Sequence, residues 1–207
     1  MKILRRGLIG LLLAANIALL VFILKGIKEH PQKIKAENVT IVAAPDQTEA
    51  QVHPDFIKEE FVLVLPEGKN IAVGKKIKDN GFSDVYGANR ANDGKTDGAS
   101  YWEGKKEYPN ILTVDLETAA KIHTIRIALN PQTIWGKRMQ TIGVNISPDG
   151  ENFTELVKEK QYTFDPEEGN QIQIPFDEVE TRFVQLVFTE NSGANGGQVA
   201  EFEIYSK

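Results

Sequence analysis

The 207-residue chain is predicted to be all-β, an antiparallel β-sandwich jelly roll, preceded by one N-terminal transmembrane helix. Three observations carry that prediction. From Ile111 onward, short runs either alternate apolar and polar side chains or are briefly apolar throughout, as strands facing a core do. Pro and Gly signals separate those runs, and no segment after residue 30 keeps a helical period. Gly7 to Leu24 is eighteen residues without a charge.

Residues 1–25 form a basic cap and the apolar stretch. Lys2, Arg5 and Arg6 precede the stretch, and Lys25 and Lys28 follow it. At about 1.5 Å per residue it spans about 27 Å, enough to cross a bilayer with little tilt. The leading bases set the N-terminus in the cytoplasm and send the remainder out. A cleaved signal peptide is the alternative, but the apolar run is long and no small-x-small site follows Leu24. The expectation is a single-pass protein of the cell membrane with its C-terminal domain extracellular, or else a secreted one.

Charge divides at the same place. Residues 1–35 carry seven Lys/Arg and one acidic residue, whereas the remaining 172 carry 17 basic and 28 acidic. An acidic exported part argues against nucleic acid and anionic lipid as electrostatic partners, and suits a divalent cation. With no cysteine there is no disulfide framework and no lipoprotein anchor.

Residues 26–66 are polar and mixed, with prolines at 31, 45, 54 and 66, and read as a stalk. Two apolar runs interrupt it, Val39–Ala43 and Phe61–Leu65, and one of them is expected to pair with the domain edge. The domain occupies 67–207. Its expected strands are Ile111–Leu116, Ile122–Leu129, Thr141–Ile146, Gln171–Phe176, Arg182–Phe188 and Val199–Tyr205. Turns are signalled by Tyr108-Pro-Asn, Asn130-Pro, Pro148-Asp-Gly, Asp165-Pro and the Gly-rich 193–197. In Ser147-Pro-Asp-Gly-Glu-Asn-Phe, Pro148 presets φ, Gly150 accepts a positive φ, and Phe153 is expected to re-enter the core.

Two distant segments offer hard oxygen ligands: the acidic turn Ala91-Asn-Asp-Gly-Lys-Thr-Asp-Gly, and Glu201 on the last strand. Together they suggest a calcium clamp closing the sandwich. Read locally, Asp93 also suits an Asx-turn that caps its own backbone. An EF-hand fails, because its twelfth position is Gly104 and no helices flank the loop.

The order of phrases carries a resemblance. Asn70-Ile-Ala-Val-Gly-Lys, Ala91-Asn-Asp-Gly, Tyr101-Trp-Glu and Tyr108-Pro-Asn-Ile-Leu-Thr-Val-Asp-Leu come first. Ile125-Arg-Ile, Arg138-Met-Gln-Thr, the 147–153 turn, Arg182-Phe-Val-Gln-Leu and Ala200-Glu-Phe-Glu-Ile-Tyr follow. Residues 68–207 resemble a discoidin, or F5/8 type C, domain of the kind that serves as a carbohydrate-binding module beside bacterial glycosidases. The resemblance implies a galactose-binding-like sandwich, a structural calcium, no catalysis, and ligand contacts from loops at one end. It also implies the calcium ligands: Asp93, the Lys95 carbonyl, Ser100 and Glu201, with the Arg90 and Gln198–Ala200 backbones. The Asp93–Ser100 spacing exceeds the family's, which makes Asp97 a further candidate ligand.

Sugar recognition needs an aromatic plate and planar polar groups. The loops offer Tyr86, Tyr108, Trp135, Arg138 and the amide-rich Asn191–Gln198 turn with Asn191 and Asn195. Trp135 lies in a polar loop, where it reads equally as a sugar platform or as a plug closing the sandwich. Trp102 reads as structural.

A catalytic reading has little to stand on. Asp165, Glu167 and Glu168 sit in a Pro/Gly turn rather than facing each other across a cleft. There is no nucleophile elbow, Gly94-Lys-Thr follows no Gly-rich loop, and His30, His53 and His123 lack zinc spacing. The expected function is non-catalytic, calcium-stabilised binding of a glycan or glycoconjugate at the cell surface. An adhesion or assembly module for a protein or lipid headgroup is the alternative, and Ile134 and Met139 are its few aliphatic spikes.

Overall fold

The computed structural model describes residues 16–23, 25 and 61–207. The chain divides into two units, Met1–Ile57 and Lys58–Lys207. In the first, residues 16–23 are helical and exposed. Among the described residues no helix is long and apolar enough to cross a membrane. Most of the anchor expected at 1–25 and of the stalk expected at 26–66 lies outside the described residues, the Val39–Ala43 run included.

The second unit is antiparallel β-structure. Its strands are β1 (Lys69–Asn70), β2 (Lys76–Asp79), β3 (Trp102–Glu103), β4 (Asn110–Ala128), β5 (Arg138–Ser147), β6 (Thr154–Phe164), β7 (Gln171–Asn191), β8 (Gln198–Val199) and β9 (Glu201–Ser206). Seven form one sheet in the order β1-β9-β4-β7-β5-β6, with β2 also on β4, while β3 and β8 form a separate ribbon. Two long strands organise everything else. The first half of β4 pairs with β2 and its second half with β9. The second half of β7 pairs with β5, and β7 runs the whole length of β4. The sheet therefore has two halves, β2-β4-β7-β5-β6 and β1-β9-β4-β7, joined through the long strands, and one buried cluster draws side chains from both. Leu112, Val114, Ile142, Val184 and Phe188 come from the first half, and Ile125, Ile127, Ile174, Phe202 and Ile204 from the second.

Four expected strands are thus halves of two. The interruption at 117–121 is an irregularity within β4, where the register with β7 shifts and Glu117 adopts φ 70°. A second shift between Ile122 and Thr124 changes which alternate residues face inward. β7 continues in the same way through Pro175 to Thr181. The 147–153 turn joins β5 to β6 as a hairpin, with Gly150 at φ 80°. Asp149 Oδ1 accepts the amides of Glu151 and Asn152, both at 2.9 Å. Phe153 departs from expectation: it is only half-buried and stands outside the core, because the turn keeps it short of β6. Phe61–Leu65 forms no strand; its tie to the domain edge is Gln173 Nε2 donating to the Val64 carbonyl at 2.6 Å.

Candidate functional site

The segment from Arg90 to Trp102 connects two clusters. The first gathers around Glu201, which opens β9 and is 2% exposed. Its Oε1 accepts the amide of Gly94 at 2.6 Å and that of Lys95 at 3.0 Å. Gly94 adopts φ 83°, a left-handed turn that glycine enters without a Cβ penalty. Oε2 is buried and has no hydrogen-bond partner. Burial pushes the Glu201 carboxyl up to about 7; the two amide bonds oppose the rise, and the charges of Asp93 and Glu203 add to it.

Asp93 Oδ1 accepts the Lys95 amide at 3.0 Å, the Asx-turn read from local sequence, while its Oδ2 accepts the Ser100 hydroxyl at 2.5 Å. The fold therefore brings Asp93, Ser100 and Glu201 together. Lys95 joins them through its amide nitrogen. Asp97 is exposed, and its carboxylate makes none of the bonds that link the other three. Among the described residues no three His, Cys, Asp or Glu side chains converge. The donors present are two carboxylates and a hydroxyl, to which calcium commonly adds backbone carbonyls. An orphaned carboxylate oxygen inside such a set fits a hard cation.

The second cluster is an open cavity of about 400 Å³ lined by Tyr86, Gly98, Ala99, Tyr101, Ile134, Trp135, Arg138 and Gln198. Tyr86 and Tyr101 stack with ring centroids 4.3 Å apart. Trp135 meets Tyr101 edge-on at 4.6 Å. Burial raises the Tyr101 hydroxyl above its ordinary range, helped by its bond to Tyr86. The Arg138 guanidinium lies 5.0 Å from the Trp135 ring centre, and its Nη1 donates to Gln198 Oε1. Gln198 is fixed from three sides. Its amide N–H donates to Gln140 Oε1 at 2.7 Å, its carbonyl accepts Gln140 Nε2 at 3.0 Å, and its Nε2 donates to Glu103 Oε2 at 2.8 Å. Gly197 leads into this strand, and a Cβ there would lie 2.6 Å from the Phe188 ring. A larger residue would push Gln198 out of place.

Of the candidates named from sequence, the cavity collects Tyr86, Trp135 and Arg138. Trp135 is half-buried; one side of the ring lines the cavity and another packs on the core, as a plug would. Tyr108, Asn191 and Asn195 lie outside the lining. Asn191 shapes its own loop instead, accepting the Gly193 amide and donating to the Gly196 carbonyl, both at 2.8 Å. Trp102 is fully buried, 5.5 Å from the Phe188 ring. Sequence reasoning missed Tyr101 as a lining residue, and it reached Gln198 only as the end of the amide-rich turn. Strand alternation could have found Tyr101, since a Trp102 facing the core turns its neighbour outward.

Residues 90–186, just under half of the chain, match the family model described as the NedA-like, galactose-binding domain of F5/F8 type C. No curated protein sequence matches the chain. Among solved structures, the Clostridium perfringens module CpGH89CBM32-5, in complex with GalNAc-β-1,3-galactose, superposes with a TM-score of 0.57 at 22% identity, over 67% of this chain and 100% of that one. Chitosan-binding module 1 of a chitosanase/glucanase from Paenibacillus sp. IK-5 gives 0.51 at 19% identity, over 66% and 98%. SpGH29 gives 0.55 at 18% identity over 67% of this chain, which spans only 28% of that protein. The described domain thus shares the β-sandwich fold of these carbohydrate-binding modules, and its central residues match the F5/F8 type C galactose-binding-like model.

Proposed function

We propose that residues 67–207 are a non-catalytic carbohydrate-binding module, stabilised by calcium and displayed on the cell surface by the N-terminal segment. The observation that carries this reading is the Tyr86–Tyr101–Trp135 cavity with Arg138 and Gln198 on its rim. Aromatic rings meet the apolar face of a pyranose, and a guanidinium and an amide meet its hydroxyls. The match to a galactose-binding domain model and the likeness to a module solved with a galactose-containing disaccharide support the same ligand class. Asp93, Ser100 and Glu201 would hold the calcium, with the orphaned Glu201 Oε2 the donor that most needs it. Calcium, when bound, supplies the positive charge that this buried oxygen lacks. Surface display rests on the uncharged run from Gly7 to Leu24 and the bases before it.

A glycan-array screen of the full chain, in a sugar-free non-ionic detergent with calcium and again after chelation, tests the proposal. Selective binding to one sugar class is expected, weakening on chelation together with a lower melting temperature. A blank array from a folded, calcium-loaded chain would point to a protein or lipid partner, for which Ile134, 86% exposed beside the cavity, is the contact to mutate first.

A further inference from the structure

Residues 67–207 contain four arginines, Arg90, Arg126, Arg138 and Arg182, in a sequence where acidic residues outnumber basic ones. Two are neutralised on the sheet. Arg126 pairs with Glu203 at 2.7 Å and Arg182 with Asp115 at 2.7 Å. The other two have no carboxylate within ion-pair distance among the described residues; Arg138 lines the aromatic cavity, and Arg90 stands against two of the residues that line it, Tyr86 and Ala99. Arg90 lies 5.9 Å from the centre of the Tyr86 ring and donates through Nη1 to the Ala99 carbonyl at 2.6 Å. Arg138 lies over Trp135, and its bonds go to the neutral oxygens of Gly136 and Gln198.

A carboxylate is close by. Glu103 acts on Arg138 through its charge, yet Gln198 stands between them, its carbonyl taken by Arg138 and its amide donated to Glu103. That interposed amide keeps the ion pair from closing. Arg138 uses Nε and Nη1 and leaves Nη2 without a bond, although a guanidinium carries five N–H donors in a planar fork. Burial works against its charge, so the site holds a partly desolvated cation at some cost. Arg90, near the Tyr86 ring and acting through its charge on Tyr101, is a second cation beside the same rings.

We infer that the glycan taken by this cavity is anionic, its carboxylate or sulfate group seated on the free donors of Arg138 with Arg90 adding to the attraction. The inference rests on the glycan-binding reading above and narrows it to a ligand class. An oxyanion would complete the planar fork in the way a carboxylate completes an arginine pair.

Titration calorimetry on the full chain, in sugar-free detergent, decides the matter with three probes. These are a trisaccharide of galacturonic acid, the galactose trisaccharide of the same linkage, and a sulfated galactose oligosaccharide. At least one acidic probe is expected to bind about tenfold or more tighter than the neutral one, the strength of a charge-assisted bond on a partly buried arginine. That advantage should shrink as ionic strength is raised. Which acidic probe gains tells carboxylate from sulfate. Arg138→Gln should abolish most of the preference and Arg90→Gln part of it, each judged only in protein whose melting temperature is retained. Neutral sugar binding as tightly as both acidic probes would overturn the anionic inference and leave the glycan reading standing. A preference that survives both substitutions would overturn it as well. A folded chain that binds none of the three would overturn the inference as stated, and the array decides separately whether the glycan reading stands.

Discussion

Glu201 Oε1 accepts the amide of Gly94 at 2.6 Å, joining positions 107 residues apart. The contact ties the last strand to the acidic turn, and the same turn continues through Gly98 and Ala99 into the wall of the aromatic cavity. Fixing the turn at Asp93, Ser100 and Glu201 therefore also fixes the approach to Tyr101.

Calcium should raise the melting temperature of the chain, and Glu201→Gln should remove that increment. At a hundredfold excess over its dissociation constant a single bound ion stabilises by about 2.7 kcal/mol, a shift of several degrees. The glutamine keeps the acceptor for Gly94 and Lys95 but removes the anionic oxygen. Scanning fluorimetry of both proteins in calcium and in chelator checks this. An equal calcium shift in the variant would remove Glu201 from the metal site.

The two tryptophans should behave oppositely. Trp102→Ala empties a fully buried position against Phe188 and is expected to cost ~3–5 kcal/mol, lowering the melting temperature by roughly 10 °C or more. Trp135→Ala opens a half-buried ring at the rim and should lower it far less, while sugar binding is lost. Paired melting and binding measurements distinguish the roles; a large drop for Trp135→Ala would make it chiefly a plug.

These contrasts also show how far the residues alone could be read. Strand positions along β4 and β7 were legible because Leu112, Val114 and Leu116 alternate with Thr113 and Asp115, and Phe183–Phe188 is a short apolar run broken only by Gln185. Their continuity was not, since a bulge that flips the inward face looks in sequence like a break. Most of β6 was illegible for a different reason. As an edge strand it has one neighbour, and the residues it packs against the core, Leu156, Val157 and Tyr162 before Phe164, keep no regular alternation. Within the candidate site, Asp93 and Glu201 were named from their chemistry, and Trp135 from its polar loop. Gln198 was named only as the end of a turn, because its place beside the cavity comes from pairing across to Glu103 on β3, a relation between segments that no local pattern carries.

Acid should weaken the domain through Asp115. Its hydrogen bonds to Arg182, at 2.7 and 2.9 Å, hold the carboxyl below its ordinary range. A carboxyl depressed in the folded state adds stability above its unfolded value, and that stability disappears as pH falls through the lower folded value. Wild type should therefore exceed Asp115→Asn in urea stability near neutral pH, with the gap closing below the usual aspartate range. The gap should be small and salt-sensitive, because the guanidinium is partly exposed. A gap that stays constant down to strong acid would assign the effect to packing.

Tyr101 should matter more to binding than any other tyrosine. It is the ring that stacks on Tyr86 and meets Trp135 edge-on, so it sets the spacing of both neighbours. Each such ring pair is worth about 0.5–1.5 kcal/mol beyond area burial. Removing Tyr101 breaks two of them and leaves Tyr86 and Trp135 free to turn out of line. Tyr101→Ala should therefore weaken sugar affinity by roughly tenfold or more, the sum of two such contacts. Tyr108→Ala, at a tyrosine outside the lining, should leave affinity unchanged. Calorimetric titration of both variants with the sugar class found on the array makes the comparison. Equal losses would mean that the ligand reaches past the cavity toward Tyr108, and equal retention would move the sugar off the aromatic cluster altogether.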